Sequence, residues 1–146
     1  MSARTASTQH GSSVARNVDL EIGTKATVRA LAEELSDRLL AMYTGRLRGL
    51  NRAHYEVETL TKTADATIRE FVRILKRLSP AGKRAWKKAT VRDFNIGIQC
   101  EREPRYFEVA IDAATLSEVA KLGGRIVVTV YAPYRPPSRT PSRSRR

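Results

Sequence analysis

Five carboxylates in the second half of the chain form a candidate acid–base or Mg²⁺-binding set. They are Asp93, Glu101, Glu103, Glu108 and Asp112. Paired carboxylates can exchange protons with a substrate or hold Mg²⁺. Arg92, Arg102 and Arg105 lie among them, and surface arginine–carboxylate pairs explain the same pattern without catalysis. We therefore predict that the protein is not an enzyme, and a carboxylate-dependent enzyme is the second alternative.

Histidine and cysteine add little catalytic chemistry. His10 and His54 cannot be placed in a Ser-His-Asp or Cys-His set, and His54 is expected at the surface or edge of a strand. Cys100 is the single cysteine, so it cannot form an intrachain disulfide, and no zinc-type spacing is present. It is predicted to be a buried, inert thiol. We predict no cofactor and no metal site, and we expect a reducing, cytoplasmic compartment.

The stretch from Arg69 to Arg92 is the stronger candidate for binding chemistry. It contains nine cations and one acid, Glu70, and cations at helical spacing form a stripe that can neutralise phosphates. Trp86 could stack on a base, or it could anchor the helix in the core. The candidate polyanion-binding residues here are Arg73, Lys76, Arg77, Lys83, Arg84, Trp86, Lys87, Lys88 and Arg92. A solvated helix face is the alternative interpretation.

The positive charge is unevenly distributed along the 146 residues, which hold 27 Lys+Arg against 15 Asp+Glu for a formal net charge of +12. Residues 1–17 and 132–146 contain seven of the cations and no acid. The C-terminal segment is also biased to Pro and Ser, so it cannot build a core. We predict disordered tails over 1–17 and 132–146 around a single domain at 18–131. The tail adds Arg139, Arg143, Arg145 and Arg146 to the candidate polyanion-binding residues.

Hydrophobic periodicity predicts an α+β fold. Strands are expected at 18–22, 54–60, 93–100, 106–111 and 126–131, and helices at 24–44, 63–78, 81–90 and 112–122, with a loop at 45–52. Apolar residues alternate along the first strand and form one stripe on the second helix: Val18, Leu20, Ile22, and Ile68, Phe71, Val72, Leu75 and Leu78. The expected N-caps are Thr24, Thr63 or Asp65, Ser79 and Asp112. The last strand is apolar on both faces, which is typical of an interior position. The element order β-α-β-α-β-β-α-β, with the short basic helix 81–90 following the second helix, predicts a single sheet of about five strands with helices packed on one face.

Several motifs between His54 and Tyr131 accompany this order. They are Tyr55-Glu-Val-Glu-Thr in a strand, Leu-x-x-Leu-Ser-Pro at 75–80, a strand hairpin, and Ile-Asp-x-x-Thr-Leu-x-x-Val-Ala-x-Leu-Gly at 111–123 before the last strand. The chain resembles the bacterial domain-of-unknown-function family 4279 over residues 54–131. The resemblance supports the fold, and the family has no agreed activity to carry over.

Function is predicted by elimination. No apolar run approaches the roughly 20 residues of a membrane-spanning helix, and the N-terminus lacks a hydrophobic signal core, so no membrane is expected. We predict a small non-catalytic binding or interaction module, immunity-like or accessory by analogy. A protein partner would bind through the open face or edge of the sheet, and an edge strand could also pair two copies in a homo-oligomer. Sequence-independent nucleic-acid binding is the first alternative.

Overall fold

A five-stranded sheet is the centre of the fold. It is seen in a computed structural model that describes residues 15–58, 63–100 and 108–132. The strands are β1 (Ala15–Thr24), β2 (Leu39–Leu47), β3 (Leu50–Val57), β4 (Val91–Gln99) and β5 (Arg125–Tyr131). The helices are α1 (Arg29–Leu35), α2 (Ala64–Lys76), α3 (Pro80–Lys88) and α4 (Ala113–Lys121). The predicted α+β class and five-stranded sheet are confirmed.

The strand order across the sheet is β2-β3-β1-β4-β5. β1 lies at the centre and pairs antiparallel with both β3 and β4, and β2 pairs antiparallel with β3. β5 is the exception, because it runs parallel to β4. Parallel neighbours need a crossover connection, and α4 supplies it.

The core lies between one face of the sheet and the helices. Val18, Leu20 and Ile22 alternate along β1 and are buried toward the helices, as the period of two predicts. Phe71 of α2 meets Phe94 of β4 edge-on, with ring centroids 6.3 Å apart. All four helices contribute buried residues to this one cluster. The inward face predicted for the first strand and the apolar stripe of the second helix are therefore confirmed.

Two helix starts have the predicted hydroxyl caps, whereas α1 begins after Val28 and not at Thr24, and Asp112 makes no side-chain cap bond at the start of α4. The hydroxyl of Thr63 accepts a hydrogen bond from the Ala66 N–H at 3.1 Å and opens α2. The hydroxyl of Ser79 does the same for the Gly82 N–H at 3.1 Å, with Pro80 at the first position of α3. These caps satisfy amide groups that have no partner inside the helix.

The long helix predicted over 24–44 is wrong, as is the loop after it. Only α1 is helical there, and β2 follows at Leu39–Leu47. The β2–β3 hairpin turns through Arg48 and Gly49, whose φ angles are 51° and 78°. Two positive φ values suit the twist of a two-residue hairpin. The apolar run from Leu39 to Tyr43 fits either period, so pairing with β3 decided its structure.

The other corrections concern the end of the chain. Residues 108–111 form no strand, and 106–107 lie outside the described residues, so the predicted 93–100/106–111 hairpin is replaced by the parallel β4–β5 pair. β5 is an edge strand, and Val128 and Val130 are 55% and 59% exposed, whereas an interior strand was predicted. The observed order is β-α-β-β-α-α-β-α-β. A strand apolar on both faces looks the same in sequence at an edge or in the interior.

The start of the predicted domain can be compared with the start of β1. β1 begins at Ala15, so the strand starts three residues earlier than the predicted domain. Residues 1–14 and 133–146 lie outside the described ranges, and the disordered tails predicted there stay predictions.

Candidate functional site

The predicted basic stretch divides into paired and unpaired cations. On α2, Arg73 pairs with Glu70, and the hydrogen bond from Arg73 lowers the pKa of Glu70. Lys76 pairs with Glu118 of α4. Lys121 and Lys76 together lower the pKa of Glu118 to about 2. Arg73 is thus paired within α2 and Lys76 is paired across to α4, so both offer less free charge to a polyanion.

The basic face of α3 is different. Its four cations are exposed, and none forms an ion pair with an acid in the part of the chain that the structure describes. They are Lys83, Arg84, Lys87 and Lys88. Beside them lies a shallow cleft of about 200 Å³ between the start of α1 and α3, with Arg84 and Lys88 in its wall.

Trp86 does not belong to this exposed face. Its side chain is 4% exposed, and it lies in the hydrophobic core. The indole Nε1 donates a hydrogen bond to the carbonyl oxygen of Leu122 at 2.8 Å, which ties α3 to the end of α4. A ring in this position cannot stack on a base, so the anchor interpretation applies and Trp86 leaves the candidate polyanion-binding set.

The remaining predicted polyanion residues are scattered. Arg77 caps the C-terminus of α2 and is exposed. Arg92 lies on β4 with its guanidinium beside the backbone of Gly123, and it is half-buried. Arg139, Arg143, Arg145 and Arg146 lie outside the described residues. Within the described ranges, the structure therefore brings together only the four cations of α3.

A second group of polar residues lies on the opposite side of the sheet. All four helices pack against the other face, so none of the described helices covers this one. We call it the open face, and its central residues are Asn17, Asp19, Glu21, His54, Glu56 and Asn95. They alternate with core residues along β1, β3 and β4, which is why they point together.

Asn17 joins two carboxyl groups at the centre of the open face. Its side-chain amide donates to both carboxylate oxygens of Asp19 at 3.1 and 3.2 Å, and to Oε1 of Glu56 at 3.2 Å. Burial, then the hydrogen bond and charge of Glu56 and the charge of Glu21, raise the pKa of Asp19 to about 6, although Asn17 opposes this. The cluster therefore holds more negative charge at neutral pH than its surroundings favour.

Glu21 extends this network toward the β5 edge. The Asn95 amide donates to Oε1 of Glu21 at 2.7 Å, and the Thr129 hydroxyl donates to Oδ1 of Asn95 at 2.8 Å. On the β3 side, Nε2 of His54 lies 3.9 Å from Oε2 of Glu21 and has no hydrogen-bond partner among the described residues. The Tyr43 ring packs against His54, with centroids 5.4 Å apart.

Sequence reasoning missed this group, although a signal was present. Asn17, Asp19 and Glu21 fill three successive outward positions of one strand without a cation among them, in a chain of net charge +12. His54 was predicted at the surface or edge of a strand; it lies on the open face of β3, which is not an edge strand.

The predicted carboxylate set does not assemble in the described part of the chain. Asp93 accepts two hydrogen bonds from Arg125, at 2.6 and 3.0 Å, on the open face. Asp112 precedes α4 on the helix side, where its N–H donates to Oδ1 of Asp65 at 3.0 Å. Glu108 is exposed, and Glu101 and Glu103 lie outside the described residues.

The predicted buried thiol also needs correction. Cys100 follows the end of β4 and is only half-buried, because the strand stops one residue before it. No group of three or more His, Cys, Asp or Glu side chains could hold a metal ion within the described ranges. None of the described helices is long and apolar enough to cross a membrane.

No protein family, curated protein or solved structure matches this chain. The resemblance to the bacterial domain-of-unknown-function family 4279 therefore stays a prediction.

Proposed function

We propose that the protein is a small, non-catalytic interaction module of the bacterial cytoplasm, immunity-like or accessory in role, that binds a protein partner through the open face. The partner contributes cationic or N–H donor groups to the carboxylates of that face. The polyanion-binding alternative uses another surface, the α3 helix, and the two can be tested separately.

The observation that carries the proposal is the uncompensated charge around Asp19. Its carboxyl group shares the Asn17 amide with Glu56, and burial together with the neighbouring acids raises its pKa to about 6. Such a cluster lowers the stability of the free protein at neutral pH. A fold that keeps an unfavourable group on an uncovered face is consistent with a binding role, since functional groups are often kept at the expense of stability.

The surroundings of the carboxylates also suit a macromolecular interface. Tyr43 is 40% exposed on this face, and its ring lies against His54. Protein interfaces combine aromatic anchors with polar groups that form hydrogen bonds across the contact. The neighbouring strand pairs hold these side chains in place, because β3 pairs with both β1 and β2.

The test is affinity capture with the tagged full-length protein in the presence of nuclease, followed by a direct binding measurement with the purified partner. In the double variant D19N/E56Q, both carboxylates become neutral with little change in shape. We expect partner binding to weaken at least tenfold in this variant. K83E/K87E on α3 is the control, and we expect it to bind as wild type does. Equal binding by wild type and D19N/E56Q would overturn the open-face proposal.

A second candidate function, sequence-independent nucleic-acid binding, is favoured by the unpaired cations of α3 and the cleft beside Arg84 and Lys88. Phosphate neutralisation makes such binding fall steeply with salt, with a log–log slope of about −0.9 per phosphate on duplex DNA. We would measure anisotropy of labelled duplex DNA and RNA from low to physiological salt. K83E/K87E should reduce both affinity and slope.

The matched control for this test is R38E/R46E, which changes the net charge by the same amount at exposed positions outside α3. If both double variants lose affinity equally, net charge rather than the α3 face is responsible. If wild type does not bind at low salt, nucleic-acid binding is excluded.

A further inference from the structure

We propose that two copies of this chain form a symmetric dimer through antiparallel pairing of their β5 strands, which would join the two sheets into one. This interface is independent of the proposed partner binding, because pairing at the edge leaves the open face uncovered. The inference rests on the direction of the free backbone groups of β5, on its exposed side chains and on its self-complementary register.

Among the described residues, no strand pairs with the outer edge of β5. The Cys100 N–H donates to the carbonyl oxygen of Tyr131 at 2.9 Å, so the backbone groups of Tyr131 point toward β4. In a strand, the direction alternates with each residue. Ile126, Val128 and Val130 therefore direct both N–H and C=O outward, where no strand of the described residues pairs with them.

The side chains along this edge are those that another strand would bury. From Ile126 to Tyr131 there is no charge, no proline and no glycine. Val128 and Val130 lie on the helix side of the sheet yet remain 55% and 59% exposed. An exposed, uncharged and β-branched edge is the feature that natural sheets usually guard against, unless a partner strand occupies it.

An antiparallel register centred on Val128 gives a hydrogen-bond partner to every outward-directed backbone group from Ile126 to Val130. Val128 faces Val128 of the second copy, and Ile126 faces Val130, so all three outward-directed residues form hydrogen-bonded pairs. Each such pair exchanges two N–H···O bonds, about six bonds in total. The same register buries the exposed valines against each other. A shift of the centre by one residue leaves strand residues unpaired at the ends.

The ends of the same register are also complementary. Arg125 of one copy comes opposite Tyr131 of the other, on the side of the sheet that carries the open face. Arg125 keeps its ion pair with Asp93, and the Tyr131 ring is 53% exposed. Arg125 is held toward β4 by Asp93 and the Tyr131 ring lies beside Gly97 of β4, so neither blocks the outer edge. The only charged residue of β5 thus lies opposite a tyrosine instead of a second cation.

The other edge of the sheet is less suited to pairing. β2 also exposes apolar side chains, among them Met42 at 58%. Its pairing with β3 shifts register between Ala41 and Tyr43, and such bulges protect edges from further pairing. Arg46 adds an exposed charge within this strand.

An interface made by two edge strands alone is small. Contacts below roughly 1,200 Å² generally give weak, transient association. We therefore expect a monomer–dimer equilibrium in the micromolar range, and the experiment must cover that range. Sedimentation velocity of the full-length protein from about 5 to 300 μM should show a reversible shift from monomer to dimer.

Charge placed at the two-fold axis tests the register. In V128K, two like charges lie directly opposite each other, so we expect a monomer throughout the concentration range, and the same for V128E. An equimolar mixture of V128K and V128E should associate again, because opposite charges then face each other. M42K on β2 is the control and should dimerise as wild type does. Circular dichroism and thermal unfolding check that each variant is folded.

Three outcomes would overturn the proposal. They are a wild type that sediments as a monomer at every concentration, a V128K variant that associates as strongly as wild type, and an M42K variant that loses the dimer. A mixture of V128K and V128E that stays monomeric would exclude the register centred on Val128. None of these results bears on partner binding, which D19N/E56Q tests separately.

Discussion

The carboxyl groups of Asp19 and Glu56 face each other across one amide. Asn17 donates to both, at 3.1 to 3.2 Å, on the sheet face that the described helices leave uncovered. Burial and the neighbouring acids raise the pKa of Asp19 to about 6. The geometry thus concentrates negative charge at the centre of the open face of a chain that is otherwise strongly basic.

The pH dependence of stability follows from this pair. The folded protein takes up a proton at Asp19 near pH 6, whereas an unfolded chain takes it up near pH 4. This group therefore makes the free energy of unfolding rise as pH falls from 7 to 5. D19N removes that rise and should stabilise the protein at pH 7.5 by about 1 kcal/mol, a value reduced because the site is partly exposed.

Urea unfolding at pH 5.0 and 7.5 measures this effect. D37N, which neutralises an exposed acid in the turn after α1, is the control and should keep the wild-type difference between the two pH values. A D19N variant that retains the wild-type pH difference would show that Asp19 is not the titrating group.

Glu34 ties α1 to the start of α3, and it should contribute to stability in the opposite pH direction. Its carboxylate accepts from the Ser79 N–H at 2.8 Å and is hydrogen-bonded to the Ser79 hydroxyl. These bonds lower the pKa of Glu34. The contribution is complete above the ordinary glutamate pKa and is lost as pH falls through the lowered one. E34Q should destabilise by about 1 kcal/mol at pH 7.

Thermal unfolding at pH 7 and pH 3 checks this expectation. The difference between wild type and E34Q should shrink as pH falls from 7 toward 3, because the wild-type carboxylate loses its advantage as it is protonated through its lowered pKa. E33Q, one position earlier, removes only an exposed pair with Arg29 and should cost much less.

The single tryptophan reports on the helix layer. Trp86 is buried, and its Nε1 donates to the Leu122 carbonyl. W86F keeps most of the apolar contact but leaves that carbonyl without its donor, so we expect a loss of about 1–3 kcal/mol in the free energy of unfolding. In wild type, Trp86 fluorescence should be blue-shifted and should not be quenched when DNA or RNA is added. Quenching by a bound base would contradict the buried position.

The hairpin turn gives a backbone prediction. Gly49 has a φ of 78°, a conformation that costs other L-residues roughly 1–2 kcal/mol. G49A should destabilise by about 1 kcal/mol, whereas G49N should cost less because asparagine tolerates this region. Chemical unfolding of wild type, G49A and G49N measures these differences. If G49A is as stable as wild type, the turn does not require a positive φ at this position.

Features that depend on a few neighbouring residues could be predicted from the sequence. The Ser79 N-cap, the alternation of Val18, Leu20 and Ile22, and the α+β class were predicted correctly. Each depends on neighbours within a few residues, such as a hydroxyl three positions before an amide or apolar residues at every second position. These signals do not require knowledge of the rest of the fold.

Other features depended on contacts between distant parts of the chain. Leu39 to Tyr43 became β2 because β3 was available to pair with it, and β5 became an edge because no further strand of the described residues lies beyond it. In the described part of the basic stretch, the cations that lie together without ion pairs are those of α3. On α2, Arg73 and Lys76 pair with acids of α2 and α4.

The sequence by itself determined the fold class, the Ser79 cap, the core face of β1 and the excess of positive charge, because composition and short-range spacing encode them. Only the tertiary structure decided which charges meet. It placed Asp19 beside Glu56 by aligning β1 with β3, it withdrew Trp86 into the core, and it left the valines of β5 at an edge. Strand order and register set these neighbours, and residues 37 positions apart carry no local signal of their contact.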